Sequence, residues 1–281
     1  MNRSVMLKWV RLDCTIDGTY RIPFFVGSML RGVIGHALKR VVCINPSYEC
    51  EGCFALRECL YYQFYEKPNS IHQYRLGIRL KPRTLNFSLY LFEDAIDSIP
   101  YVVAAVIKAF EEIGIGKEHV KMCVASIHVN ERLVYSKQHG ASLDNIVPNE
   151  LEIDRFCQEV QLQFVMPLRM KQNNKIAAES IALHSLINNI HNRYTQLKGL
   201  EARSLGYRVR GEVTQNSMKF MELQRYSNRQ KTAMNLGGLM GDITIKGLDK
   251  QSYMYLKIGE IIGAGKQTVF GLGSYHIIKE R

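Results

Sequence analysis

Between residues 5 and 16 apolar and polar side chains alternate roughly one for one, the period of a half-buried strand. From Gly27 the period changes. Leu30, Val33, Ile34, Ala37, Leu38 and Val41 recur at helical spacing, which predicts a helix capped by Ser28 and running to about Val42. Strand-like runs follow at about 72–81 and 84–92, Ser98-Ile99-Pro100 opens a second helix, Gly114 ends it, and 119–131 returns as a strand. The order β-α-β-β-α-β is that of a ferredoxin-like domain. The polar stretch from Ser136 to Glu150, with Gly140 and Pro148, reads as a linker. Beyond it the order recurs more loosely: a strand at 157–166, a helix at about 175–198, strands near 217–225 and 238–246, a helix at about 250–262, and a last strand from Val269 to Ile278. The pattern predicts an α/β (α+β) protein of two tandem ferredoxin-like, RRM-like domains, 1–140 and 150–281. The first would carry a cysteine-rich insertion at about 43–66.

Composition narrows the partners. The 281 residues carry a formal charge of +11 with basic residues in excess in both halves, which suits a polyanion such as nucleic acid. The longest apolar stretch, Ile99 to Phe110, contains Lys108 and is too short to span a bilayer, and Lys8 and Arg11 interrupt the first strand where a signal peptide would have its core. A membrane role is therefore not expected, and a cytoplasmic location is. Seven cysteines, an odd number, fit a reducing compartment. Four of them, Cys43, Cys50, Cys53 and Cys59, have the spacing C-x6-C-x2-C-x5-C. They read as a structural zinc site whose four thiolates staple a long loop, or else as plain reduced thiols. Cys14, Cys123 and Cys157 lie in apolar, strand-like contexts and read as core residues.

Two segments suggest chemistry. Gly263-Ala264-Gly265-Lys266-Gln267-Thr268-Val269-Phe270-Gly271-Leu272-Gly273 joins the last helix to the last strand. Glycine admits positive φ and close approach, so Gly263, Gly265, Gly271 and Gly273 could aim main-chain N–H groups, with Lys266, at a phosphate backbone. The loop matches neither a P-loop, for which Glu260 and Gln267 are wrong, nor a dinucleotide fingerprint, for which Thr268 is wrong. On the first helix, His36 falls outside the apolar face, beside Gly32, Lys39 and Arg40, with Gly35 adjacent. That placement suits either a solvated histidine or an acid–base catalyst on an open surface, and the two glycines suit either close packing or substrate approach. A basic run from Arg203 to Lys231, interleaved with Tyr207 and Tyr226, has the character of an RNA-contacting surface as well as of a solvated face. His184, His191 and His276 read as surface or strand residues.

The same segments carry a resemblance. The glycine loop, its flanks Gly237-Gly238-Leu239-Met240-Gly241, Leu256-Lys257-Ile258-Gly259-Glu260 and Ser274-Tyr275-His276-Ile277, and upstream Arg225-Tyr226-Ser227-Asn228-Arg229-Gln230 resemble the CRISPR precursor-RNA-processing endoribonucleases of the RAMP superfamily. Gly27-Ser28-Met29-Leu30-Arg31-Gly32 and Ile113-Gly114-Ile115-Gly116 extend the similarity into the first half. The resemblance implies the tandem ferredoxin-like fold and binding of CRISPR repeat RNA. It also implies metal-independent cleavage by 2′-hydroxyl attack, giving 5′-hydroxyl and 2′,3′-cyclic phosphate ends, with no cofactor for catalysis. His36, Tyr20 and Lys39 are then the expected catalytic set. Arg31, Arg40, Arg225, Arg229, Lys231 and Lys266 join the loop glycines as RNA contacts, and subunits of a CRISPR effector complex are possible partners. A non-cleaving RAMP subunit that holds guide RNA, and a zinc-stapled RNA-binding module outside CRISPR biology, are the rival readings.

Overall fold

The computed structural model describes residues 7–153, 155–172, 174–201, 204–227 and 232–281. The chain divides between Glu150 and Leu151 into two compact units. In the first, β1 (Lys8–Asp17), α1 (Gly27–Val42), β2 (Tyr74–Gly77), β3 (Phe87–Phe92), α2 (Ile99–Ile107), β4 (Cys123–Val129) and β5 (Arg132–Ser136) follow in order. The antiparallel sheet is ordered β2-β3-β1-β4-β5, so that β1 lies centrally with Leu12 opposite both Leu89 and Val129. Its first four strands and two helices are the ferredoxin-like arrangement. Alternation along β1 buries Val10, Leu12, Cys14 and Ile16 against the helices, which contribute Leu30, Ile34, Ala37 and Leu38 from α1 and Val102, Val103 and Val106 from α2.

The second unit repeats the plan with β6 (Val160–Leu168), α3 (Leu183–Leu197), β7 (Glu212–Asn216), β8 (Lys219–Met221), β9 (Gln224–Ser227), β10 (Thr232–Asn235), β11 (Gly238–Lys246), α4 (Lys250–Ile262) and β12 (Tyr275–Glu280). Its sheet order is β7-β11-β6-β12, and β9 and β10 pair as a separate ribbon. Asp249 caps α4 by accepting from Ser252 N–H at 2.7 Å. Among the described residues no helix is long and apolar enough to cross a membrane.

Local expectations differ from the structure in five places. Ser28 lies inside α1, whose N-cap is Val26 with no side-chain bond. The third helix starts at Leu183, because Lys171–Gln172 and Lys175–Ile176 pair as a short ribbon instead. The last strand starts at Tyr275, not Val269, since Thr268–Phe270 forms a 3₁₀ turn. The supposed linker is part of the first unit's sheet: Gly140–Ala141 pairs with β5, and Asn149–Glu150 pairs with Lys8 and Trp9.

The fifth difference is the zinc site. Cys43, Cys50, Cys53 and Cys59 are half-buried free thiols, and among the described residues no group of three or more His, Cys, Asp or Glu side chains is placed to hold a metal ion. The Cys43 thiol points instead at the Asn45 carbonyl, 3.8 Å away. What fastens the α1–β2 connection is aromatic. Phe64 is buried and stacks on Tyr74 with ring centres 4.8 Å apart, and Tyr65 packs so closely on Gly35 that a methyl group there would overlap its ring. Spacing alone suggested a thiolate staple, but ring burial supplies the anchor.

Candidate active site and nucleic-acid interface

On α1 the outward positions separate into two functions. Gly35 is buried beneath Tyr65, so its lack of a side chain serves packing and not substrate approach. Gly32 is exposed, with nothing within 4 Å of where a Cβ would stand. His36 is exposed, and with Lys39, Arg40 and Tyr48 it lines an open cavity of about 600 Å³. Its imidazole is held below the ordinary histidine pKa, first by partial burial and then by the positive charge of Arg40, His119 and Lys39. At neutral pH it is therefore chiefly the uncharged base. Lys39 Nζ stands 4.9 Å over the Tyr61 ring, which itself stacks on Tyr65 at 5.4 Å. Arg40 is exposed. Arg31 is more deeply engaged: its Nε donates to Tyr74 Oη at 3.0 Å and its guanidinium lies 4.6 Å from the centre of the Tyr65 ring.

His119 was not singled out by the sequence. It sits at φ 51° in the turn after α2, closed by an Ile115–Val120 bridge. Gly114, at φ 81°, makes this turn possible, since any Cβ there would collide with the His119 carbonyl. Tyr20 belongs to the same corner: its hydroxyl is 2.6 Å from where a Cβ would stand on Gly116. The turn thus carries His119 into electrostatic reach of His36 and gives Tyr20 its seat. The Gly114–Gly116 motif marked the turn in the sequence, yet nothing local tied His119 to a helix eighty residues earlier.

In the second unit the glycine loop is mostly buried, and most of its donors face inward. Gly263 ends α4 at φ 77° and donates to the Gly259 carbonyl. Gly265 N–H donates to Asn189 Oδ1 on α3 at 2.6 Å, and Lys266 N–H to the Arg169 carbonyl at 2.8 Å. Ala264 N–H reaches the Gly273 carbonyl, Gly273 N–H the Pro167 carbonyl, and Gly271 N–H the Thr268 carbonyl. The four glycine amides expected to cradle phosphate are therefore taken up by the protein, as are those of Ala264 and Lys266. The glycines are needed for a different reason: Gly271 and Gly273 lie at φ 85° and 69°, and a Cβ on Gly273 would collide with the Ala264 carbonyl.

The Lys266 side chain does project outward, exposed. Arg225 on β9 stacks over Phe270 of the loop, its guanidinium carbon 4.4 Å from the ring centre, so the β9–β10 ribbon and the glycine loop meet. Arg229 and Lys231 lie outside the described residues. Asn189 and Arg169 were missed; a helical asparagine and a strand-end arginine give no signal until the loop is seen to bind them. His191 is a structural residue, its Nδ1 2.8 Å from Tyr255 Oη, and His276 is exposed beside Glu260 at 3.7 Å.

Two ferredoxin-like units, with a glycine-rich turn between the last helix and strand, make up the fold that the comparisons address. Residues 162–275 match the family model for the CRISPR-associated endoribonuclease Cas6, and residues 6–148 match the AF_1859_N N-terminal domain. The Cas6 match thus lies in the second unit, over most of its length. A protein of Archaeoglobus fulgidus is 23% identical over 287 residues, covering 92% of this chain and 93% of the relative. A product complex of a Thermus thermophilus Cas6 superposes with a TM-score of 0.59 at 14% identity, over 98% of this chain and 100% of that one. A Cas6-related protein of Pyrococcus furiosus gives 0.52 at 16% identity, over 97% and 100% of the two chains.

Proposed function

We propose that the protein is a metal-independent endoribonuclease that binds CRISPR repeats in precursor RNA and cleaves them at the α1 groove. The observation that carries this reading is His36: an exposed imidazole with a depressed pKa, in an open cavity whose other walls include Lys39 and Arg40. The uncharged imidazole takes the proton of the ribose 2′-hydroxyl as that oxygen attacks the adjacent phosphorus. Lys39 and Arg40 face the charge that builds on the phosphorane oxygens. The bond to the 5′-oxygen breaks as that oxygen gains a proton, with His119 on the neighbouring turn and Tyr20, packed against that turn, as the candidate donors. The products are a 2′,3′-cyclic phosphate and a 5′-hydroxyl. The match of residues 162–275 to the Cas6 family and the likeness to the Thermus Cas6 product complex support repeat RNA as the substrate. Arg31 and Gly35 act in this reading as scaffold, through Tyr65 and Tyr74. Lys266 and Arg225 mark a second contact surface for RNA.

The test is cleavage of a repeat transcript in excess EDTA, with a matched RNA carrying one 2′-deoxy nucleotide before the scissile bond. The ribo substrate should be cut and leave a cyclic phosphate, while the deoxy substrate should bind equally well and stay intact. Tight binding of both without cleavage of either would establish the non-cleaving subunit instead.

A further inference from the structure

We infer that Tyr48 is a stacking platform that holds an unpaired base beside the scissile phosphate in the His36 groove, an inference that rests on the ribonuclease reading above. Of the four residues lining the cavity, His36, Lys39 and Arg40 come from α1 and suit phosphate, whereas Tyr48 alone offers an aromatic face. It comes from the α1–β2 connection and leaves 49% of its surface exposed.

The ring is not simply loose on a loop. Tyr48 lies at φ 56°, in the left-handed region that bulky side chains avoid. A turn built on Asn45 keeps it there. Tyr48 N–H donates to the Asn45 carbonyl at 3.0 Å, the Asn45 side-chain amide donates to the Glu49 carbonyl at 2.8 Å, and Ser47 N–H reaches Asn45 Oδ1 at 3.3 Å. An exposed tyrosine in an unfavourable backbone conformation contributes nothing to the core, so its position calls for a ligand with a flat apolar face. A groove with cations on one side and such a ring on another fits a nucleotide, whose phosphate meets the cations and whose base meets the ring. The cavity volume, about 600 Å³, is within the range of small-ligand sites. Only a base released from its helix can stack there, so Tyr48 favours cleavage where the repeat is single-stranded. Every base has a π face, so the contact secures the strand without choosing its sequence.

The experiment uses the full chain and a repeat RNA blocked by a 2′-deoxy nucleotide, intact or with an abasic site at either nucleotide flanking the scissile phosphate. Tyr48→Asn removes the ring and relieves the positive φ, so it should fold at least as well as the parent. It should weaken binding of the intact RNA by about 5- to 150-fold, the range for one stacked base. Tyr48→Phe should restore binding to within about twofold, and Phe54→Ala, which removes an aromatic of the same connection that does not line the cavity, should leave it unchanged. The decisive readout is the cycle. One of the abasic RNAs should lose affinity for the parent protein by a similar factor and lose none further with Tyr48→Asn. Equal affinity of Tyr48→Asn and parent for intact RNA, or losses that simply multiply for both abasic sites, would overturn the platform while leaving the ribonuclease reading intact. No binding of repeat RNA by the parent would overturn the ribonuclease reading, and this inference with it.

Discussion

The α1 groove and the glycine loop are both glycine-bearing, basic surfaces, but they use glycine in opposite ways. On α1, Gly32 leaves open space one turn before His36, and Lys39 and Arg40 border the cavity. In the loop, glycines let the main chain fold back on the end of β6 and on α3, where its N–H groups are satisfied by Pro167, Arg169 and Asn189. The first surface has groups left over for a substrate. The second is a strap that fixes the end of α4 to the start of β12. A glycine signature therefore identifies where backbone must pass closely; whether it passes close to a ligand or to itself depends on where the hydrogen bonds go.

The contrast is broken most directly at His36. His36→Ala should lower the single-turnover rate by about 10²–10⁴, the usual loss for a general base, and leave affinity for a deoxy-blocked repeat within about twofold. An unchanged rate would move the chemistry away from this groove. The matching change in the strap is Gly273→Ala. It combines φ 69° with overlap of the Ala264 carbonyl, and should cost about 3 kcal/mol of stability, read from denaturant unfolding. Its single-turnover rate at saturating RNA should stay close to that of the parent below the unfolding transition. If stability is retained and cleavage is lost, the loop belongs to the chemistry after all.

The smallest effect is on pH. His36 must be uncharged to act as base, and its pKa is depressed, so kcat/KM should fall only as the pH drops through a value below the ordinary histidine pKa of about 6.5. Arg40→Gln removes the strongest of the positive neighbours named above. It should move that acidic limb upward by less than about one pH unit. An acidic limb that stays in place would show that another group titrates there.

The architecture was readable because its signals are local. β1 alternates cleanly, Pro100 opens α2, and Gly114 and Gly263 end helices at positive φ, so element order and the ferredoxin-like pattern follow from short windows. The His36 face was readable for the same reason. What escaped depends on distance or direction. Cysteine spacing says how far apart thiols are along the chain but not where they point, and Cys43 turns to Asn45 while Phe64 and Tyr65 do the anchoring. His119 reaches His36 only through the fold, and the Asn45 turn that aims Tyr48 is a side-chain network that no apolar pattern announces.

The central strand of the second unit has a consequence for biosynthesis. β6 opens that unit yet is paired on one side with β12, which closes it, and the glycine strap is bonded to the end of β6 by Gly273 and Lys266. Such contacts have high sequence separation, so their ordering must wait until nearly the whole unit is available. During translation the first unit can complete its sheet while the second remains with one flank of β6 unpaired, an exposed apolar strand edge. A ribosome stalled before Tyr275 would therefore present a folded first unit followed by an aggregation-prone segment, and release of the last strand is the event that closes it.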